Sequence, residues 1–117
     1  MISFPANTDI FVCHQPVSFG CGIDGMIRYC NIILNKEPLS KAYFMFINKG
    51  KEQIRILWYD GQGFSLCTKR SSQGRFLHWP KNTNELCTII SFFDAQILFS
   101  GGELKSLKVK KIWKKIS

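Results

Sequence analysis

Acidic side chains are scarce in this chain: there are eight Asp and Glu, and none lies in the last thirteen residues. They are Asp9, Asp24, Glu37, Glu52, Asp60, Glu85, Asp94 and Glu103. Nothing in their spacing suggests the converging carboxylates that two-metal phosphoryl transfer requires, so no catalytic residue and no enzymatic activity are expected. Long apolar runs are also missing. Stretches such as Ala42–Ile47 fall far short of the ~20 residues of a membrane span, so no membrane partner is expected. Met1-Ile2-Ser3-Phe4-Pro5 shows neither a basic segment nor an apolar core, so no secretory signal is expected. Cys13, His14, Cys21 and Cys30 lie within eighteen residues but form no Cys-x-x-Cys or His-x-x-x-His pair. No metal site and no cofactor are therefore expected, and Cys30 reads as a small core hydrophobe. Five cysteines without an export signal point to reduced thiols and a cytoplasmic protein.

What is present is one domain's worth of chain, with a polarised charge. The 117 residues include 45% hydrophobic and 21% charged residues, and the aromatic set is ten Phe, three Tyr and three Trp. That composition excludes disorder and suits a β-rich core. Sixteen Lys and Arg give a net charge of +8. Six of them, Lys105, Lys108, Lys110, Lys111, Lys114 and Lys115, fall in the final segment, so residues 1–104 hold ten bases against eight acids. A basic tail on a near-neutral body is the footprint of an anionic partner, nucleic acid first. A tail that is merely solvated fits the charge as well.

The periodicity predicts an α+β fold: an antiparallel β-meander of about four to five strands with two helices. A short strand lies within Thr8–Gln15, closed by Pro16. Ile23, Met26, Ile27, Cys30, Ile33 and Leu34 recur at helical spacing, so a helix near residues 23–34 covers one face of the sheet, with Asn35 as its left-handed stop. Ala42–Asn48, Gln53–Asp60 and Phe64–Arg70 read as strands, and Asp60-Gly61 between two of them predicts a hairpin whose central residues both take positive φ. Arg75–Trp79, ended by Pro80, reads as a fourth meander strand, and Leu86–Ile90 is short and apolar. Ser91 and Asp94 open a second helix near residues 92–100 that stops at Gly101-Gly102. Residues 1–104 thus form a single domain and 105–117 a basic tail. Val109, Ile112, Trp113 and Ile116 fit both an amphipathic helix and an extended arm.

Two patterns bear on function. Gly20-x-Gly22-x-x-Gly25 matches a dinucleotide loop, but an acidic partner and a parallel βαβ context are missing, so it reads as chance. Lys69, Arg70 and Arg75 flank one turn with Trp79 nearby, a reasonable phosphate-contacting surface; a solvated hairpin tip is the plain alternative. His14 and His78 read as structural.

The run from Ile54 through Trp58, Tyr59, Asp60, Gly61 and Gly63 continues to Lys69-Arg70, Gly74-Arg75-Phe76 and Trp79-Pro80. In that order and spacing it resembles the TnpB accessory-protein family of IS-sixty-six-type bacterial insertion sequences, which is not the RNA-guided nuclease of the same name. Ile23-Asp24-Gly25, Glu37-Pro38-Leu39-Ser40 and Tyr43-Phe44-Met45-Phe46 extend the resemblance over about residues 2–100. Phe19-Gly20-Cys21-Gly22 stands where the family has Met-Arg-Lys-Gly, which removes two cations. The resemblance implies a non-catalytic role in DNA transposition beside a separate, larger transposase. Trp58, Asp60, Gly61, Gly63, Gly74 and Pro80 are then structural motif residues. Lys69, Arg70, Arg75, Trp79 and the six tail lysines are the candidate DNA contacts. The expected partners are the ends of the insertion sequence and the transposase. A protein-interaction module without DNA contact is the alternative.

Overall fold

The computed structural model describes residues 8–37, 41–82 and 84–104. Its five strands are β1 (Asp9–Cys13), β2 (Ala42–Ile47), β3 (Gln53–Tyr59), β4 (Phe64–Arg70) and β5 (Cys87–Ile90), in the order β4-β3-β2-β1-β5. The helices are α1 (Gly22–Ile32), preceded by a 3-10 turn at Phe19–Cys21, and α2 (Phe92–Phe99). The α+β class expected from the periodicity is what forms. The predicted tail at 105–117 lies outside the described residues.

β2 is apolar at every position because both faces of the sheet are covered. Alternation sends Met45 and Ile47, with Ile54 and Ile56 of β3, to a face packed by α2, Phe76 and Trp79. Phe44 and Phe46, with Leu57, go to the other face and meet Met26 and Cys30 of α1. Ile23, Met26, Ile27 and Cys30 therefore mark the α1 face that the sheet covers, with Leu34 buried just beyond it, whereas Ile33 is exposed because the helix ends at Ile32. Asn35 has φ 53 and ends the helix as expected. At α2, Ser91 Oγ accepts the Asp94 amide at 3.0 Å. Gly101, at φ 87, donates to Leu98 O at 2.9 Å, and Gly102 donates to Ile97 O at 2.8 Å. That pair of bonds satisfies the last carbonyls of the helix in the manner of a Schellman stop.

Three details differ from the sequence reading. β1 pairs with β2 in parallel, so β1-α1-β2 is a βαβ unit and the meander is confined to β2-β3-β4. The long connection through α1 permits a parallel return that a tight turn cannot make. Arg75–Trp79 forms no strand: Phe76 and Trp79 enter the same face although three residues apart, which a period of two forbids. At the β3-β4 turn only Gly61 has positive φ, at 96°. There Asp60 Oδ1 accepts the amides of Gln62 and Gly63, each at 2.9 Å, which makes a four-residue loop instead of a tight pair.

Candidate nucleic-acid interface

Two successive hairpins place their turns at opposite ends of a sheet. The β2-β3 turn carries Lys49 and Lys51, and the end of β4 returns to that same end, where Arg70 pairs with Gln53. Residues 71–82 then leave β4 and run back across the sheet as a strap. The Ser71 amide donates to Glu52 O at 2.8 Å, the Phe76 amide to Lys51 O at 2.7 Å, and the Trp79 indole N–H to Cys13 O at 2.8 Å. His14 Nδ1 sits 3.0 Å from Pro80 O; a carbonyl only accepts, so that ring nitrogen carries the proton. His14 Nε2 lies 2.6 Å from Thr88 Oγ1, which bonds Glu85 Oε2 at 3.3 Å. His14 thereby links β1, the strap and β5, the structural part expected of it, while His78 is exposed on the strap.

The strap explains the spacing of its aromatic residues. Phe76 and Trp79 plug into the core, and between them Leu77 and His78 face outward. Gly74, at φ 99, makes the bend that starts the crossing. Arg75 and Lys81 remain exposed along it. This end of the sheet thus presents the exposed Lys49, Arg70, Arg75 and Lys81 and the half-buried Lys51, with Glu52 and Glu85 as the acids among them. Five strands at about 4.8 Å spacing make the rim about 19 Å wide. A duplex carries one charge per ~1.7 Å of its axis, so the rim matches the reach of several phosphates.

The candidate residues divide into four groups. Arg70 and Arg75 lie on the rim, exposed, as the turn between them suggested. Lys69 is half-buried: its Nζ donates to Phe99 O at 2.6 Å and lies 5.1 Å from the Phe99 ring centroid. It holds the C-terminal end of α2, where a cation is favoured. Trp79 is 7% exposed and belongs to the core, because its indole has both an apolar pocket and a carbonyl partner there. Lys105, Lys108, Lys110, Lys111, Lys114 and Lys115 lie outside the described residues. Among the motif residues, Trp58 stacks on Tyr43 at 5.1 Å and Asp60 organises its turn. Lys49, Lys51 and Lys81 are rim residues that sequence reasoning missed; the alternation of turns in a meander was the signal for the first two.

Cys13 and Cys30 are buried where α1 meets the sheet. Burial, and then the neighbouring Cys87, pushes the Cys30 thiol up to about 12. Burial pushes Cys13 well above its ordinary value, with Cys30 and Cys87 adding to the effect.

A family model described as IS66 Orf2 like protein matches residues 8–109. The chain is similar to the uncharacterized protein y4hO of Sinorhizobium fredii, with 29% identity over 68% of this chain and 69% of that protein. It is also similar to the uncharacterized protein y4jC of the same organism, at 32% identity over 68% of each chain. No solved structure matches.

Proposed function

The chain belongs to the IS66 Orf2-like family, and from that premise we propose that this insertion-sequence accessory protein assists transposition by binding DNA along the basic end of its sheet. The observation that carries the reading is the convergence of Lys49, Lys51, Arg70, Arg75 and Lys81 on one rim. In this reading 1–104 is the folded domain, the tail lysines at 105–117 add phosphate contacts, and the protein works in the cytoplasm. Phosphate contacts of this kind give affinity and position with little sequence preference. Fluorescence anisotropy of the intact protein against duplexes of the element's terminal repeats tests it. Binding that weakens steeply with salt, and almost equally for a scrambled duplex, is expected. Absence of binding at low salt defeats the reading.

A second reading has its own observation. β5 is an edge strand, and Ile89, Phe92 and Phe93 are exposed within five residues of one another. An open edge flanked by apolar side chains is a docking surface for an extended segment of the larger transposase. Co-purification of the two proteins after nuclease treatment tests that contact separately from DNA binding.

A further inference from the structure

We infer that the cleft between α1 and the Gln15–Ser18 segment is a nucleotide pocket, binding a nucleoside monophosphate unit either free or as an unpaired residue of a DNA strand. The DNA form of this inference rests on the reading above; the free-nucleotide form does not. The cleft measures about 470 Å3 and is lined by Pro16, Val17, Tyr29 and Ile33 on its apolar side, over the buried Met26 and Phe46, and by Gln15, Ser18 and Lys49 on its polar side. That volume falls within the range of small-molecule sites, and an apolar wall with a few polar groups is their usual composition. A planar base needs the apolar wall, its edge needs amide and hydroxyl groups, and its phosphate needs a cation. The cleft supplies all three.

Its place in the fold agrees. The cleft opens at the carboxyl ends of β1 and β2, the two strands that run parallel. In open α/β sheets nucleotides bind outside the carboxyl ends of parallel strands, and the cleft shares that position beside this one pair. Gly20, Gly22 and Gly25 lie in a βαβ unit, and of the three Gly25 lines the cleft, packed against Cys21. One departure defines the ligand. Just after β2, where a dinucleotide site uses an acid to hold a ribose hydroxyl, this chain has Lys49. A cation there suits a phosphate, and without a carboxylate to hold the ribose hydroxyl the site does not require a 2′-hydroxyl, so deoxynucleotides are accepted. Lys49 also belongs to the basic rim, so a strand lying on the rim has an unpaired base within reach of the cleft.

Cys21 provides the readout, because its thiol is exposed and lines the cleft. Maleimide labelling of the full chain, resolved by peptide mass, is followed with Cys67 on the opposite face of the sheet as the internal control. The probes are thymidine 5′-monophosphate, uridine 5′-monophosphate, a short oligothymidylate and a duplex of equal length. At ten times its dissociation constant a bound probe slows Cys21 labelling about tenfold, since only free protein reacts. Protection by both monophosphates supports a free-nucleotide site; protection by the oligonucleotide alone supports an unpaired DNA residue. Ile33 borders the cleft and is 47% exposed, so Ile33→Glu should abolish protection through charge repulsion, leave folding unchanged and cost a duplex at most its contact with Lys49. Duplex binding without Cys21 protection by any single-stranded or free nucleotide overturns the pocket and spares the rim. Protection by an acidic, leucine-containing peptide and by no nucleotide overturns it in favour of a protein ligand. Protection by a monophosphate in a protein that binds no duplex sustains the pocket and defeats the rim.

Discussion

The two ends of the sheet are built from the same strands and do opposite things. At the β3-β4 end, Asp60 spends its carboxylate on the amides of its own turn, and the connection is four residues long. At the other end, the chain between β4 and β5 takes a long path over the sheet and is fastened by Phe76, Trp79 and His14. The first end is local chemistry, settled by residues within reach of one another. The second depends on contacts across more than sixty residues, such as Trp79 with Cys13. It is also the end where Lys49, Arg70, Arg75 and Lys81 are exposed together. The plugs at Phe76 and Trp79 fix the path of the strap, and that path sets Arg75 and Lys81, on either side of the pair, at the same end as Lys49 and Arg70.

The largest test of that comparison is to remove the plug. Trp79→Ala deletes a buried aromatic ring and leaves Cys13 O without its indole donor. The expected loss is about 3–5 kcal/mol of stability, measured by urea unfolding. If the variant unfolds as the wild type does, the strap is not anchored as described. Next in size is deletion of residues 105–117. Each phosphate contact contributes about 0.9 to the slope of log affinity against log salt, so six engaged lysines account for about five units. An unchanged slope means that the tail takes no part in binding. Loss of cooperative unfolding means that the tail packs on the body.

How much of this was readable beforehand follows the same division. α1 was legible because Ile23, Met26, Cys30 and Leu34 repeat at the helical period, and its stop at Asn35 needed only local conformation. The hairpins of β2-β3-β4 were legible because their turn residues sit between alternating strands. The parallel β1-β2 pairing was not, since an apolar strand pattern does not say which neighbour it will choose. Arg75–Trp79 misled because aromatic residues before a proline look like a strand; only the three-residue spacing of Phe76 and Trp79 betrays one-sided plugging. Within the candidate site, Arg70 and Arg75 could be read from their shared turn. The engagement of Lys69 could not, because its partner carbonyl at Phe99 is thirty residues away and belongs to another element.

A smaller effect separates the rim from the opposite end directly. Arg70→Gln combined with Arg75→Gln removes two exposed cations. The salt slope should fall by about two units with the melting temperature nearly unchanged. Asp60→Asn, at the other end, should leave the slope as it is. Equal effects of the two changes on DNA affinity would mean that overall charge, and not the rim, governs binding.

The smallest effect is confined to the Asp60 turn and shows only in its pH dependence. The amides of Gln62 and then Gly63 hold the Asp60 carboxyl below its ordinary value. A carboxyl depressed in the folded state stabilises the fold above its unfolded pKa, and that contribution is lost as pH falls through the folded value. Asp60 is fully exposed, so water and salt screen the effect and it stays small. Asp60→Ala should lower the melting temperature slightly near neutrality and flatten its decline from about pH 5 to about pH 2. Asp60→Asn keeps an acceptor for the two amides but cannot titrate. It should therefore retain more of the neutral-pH stability while showing the same flattened acid limb. An acid limb as steep in both variants as in the wild type assigns the decline to other carboxylates and leaves the turn with geometry alone.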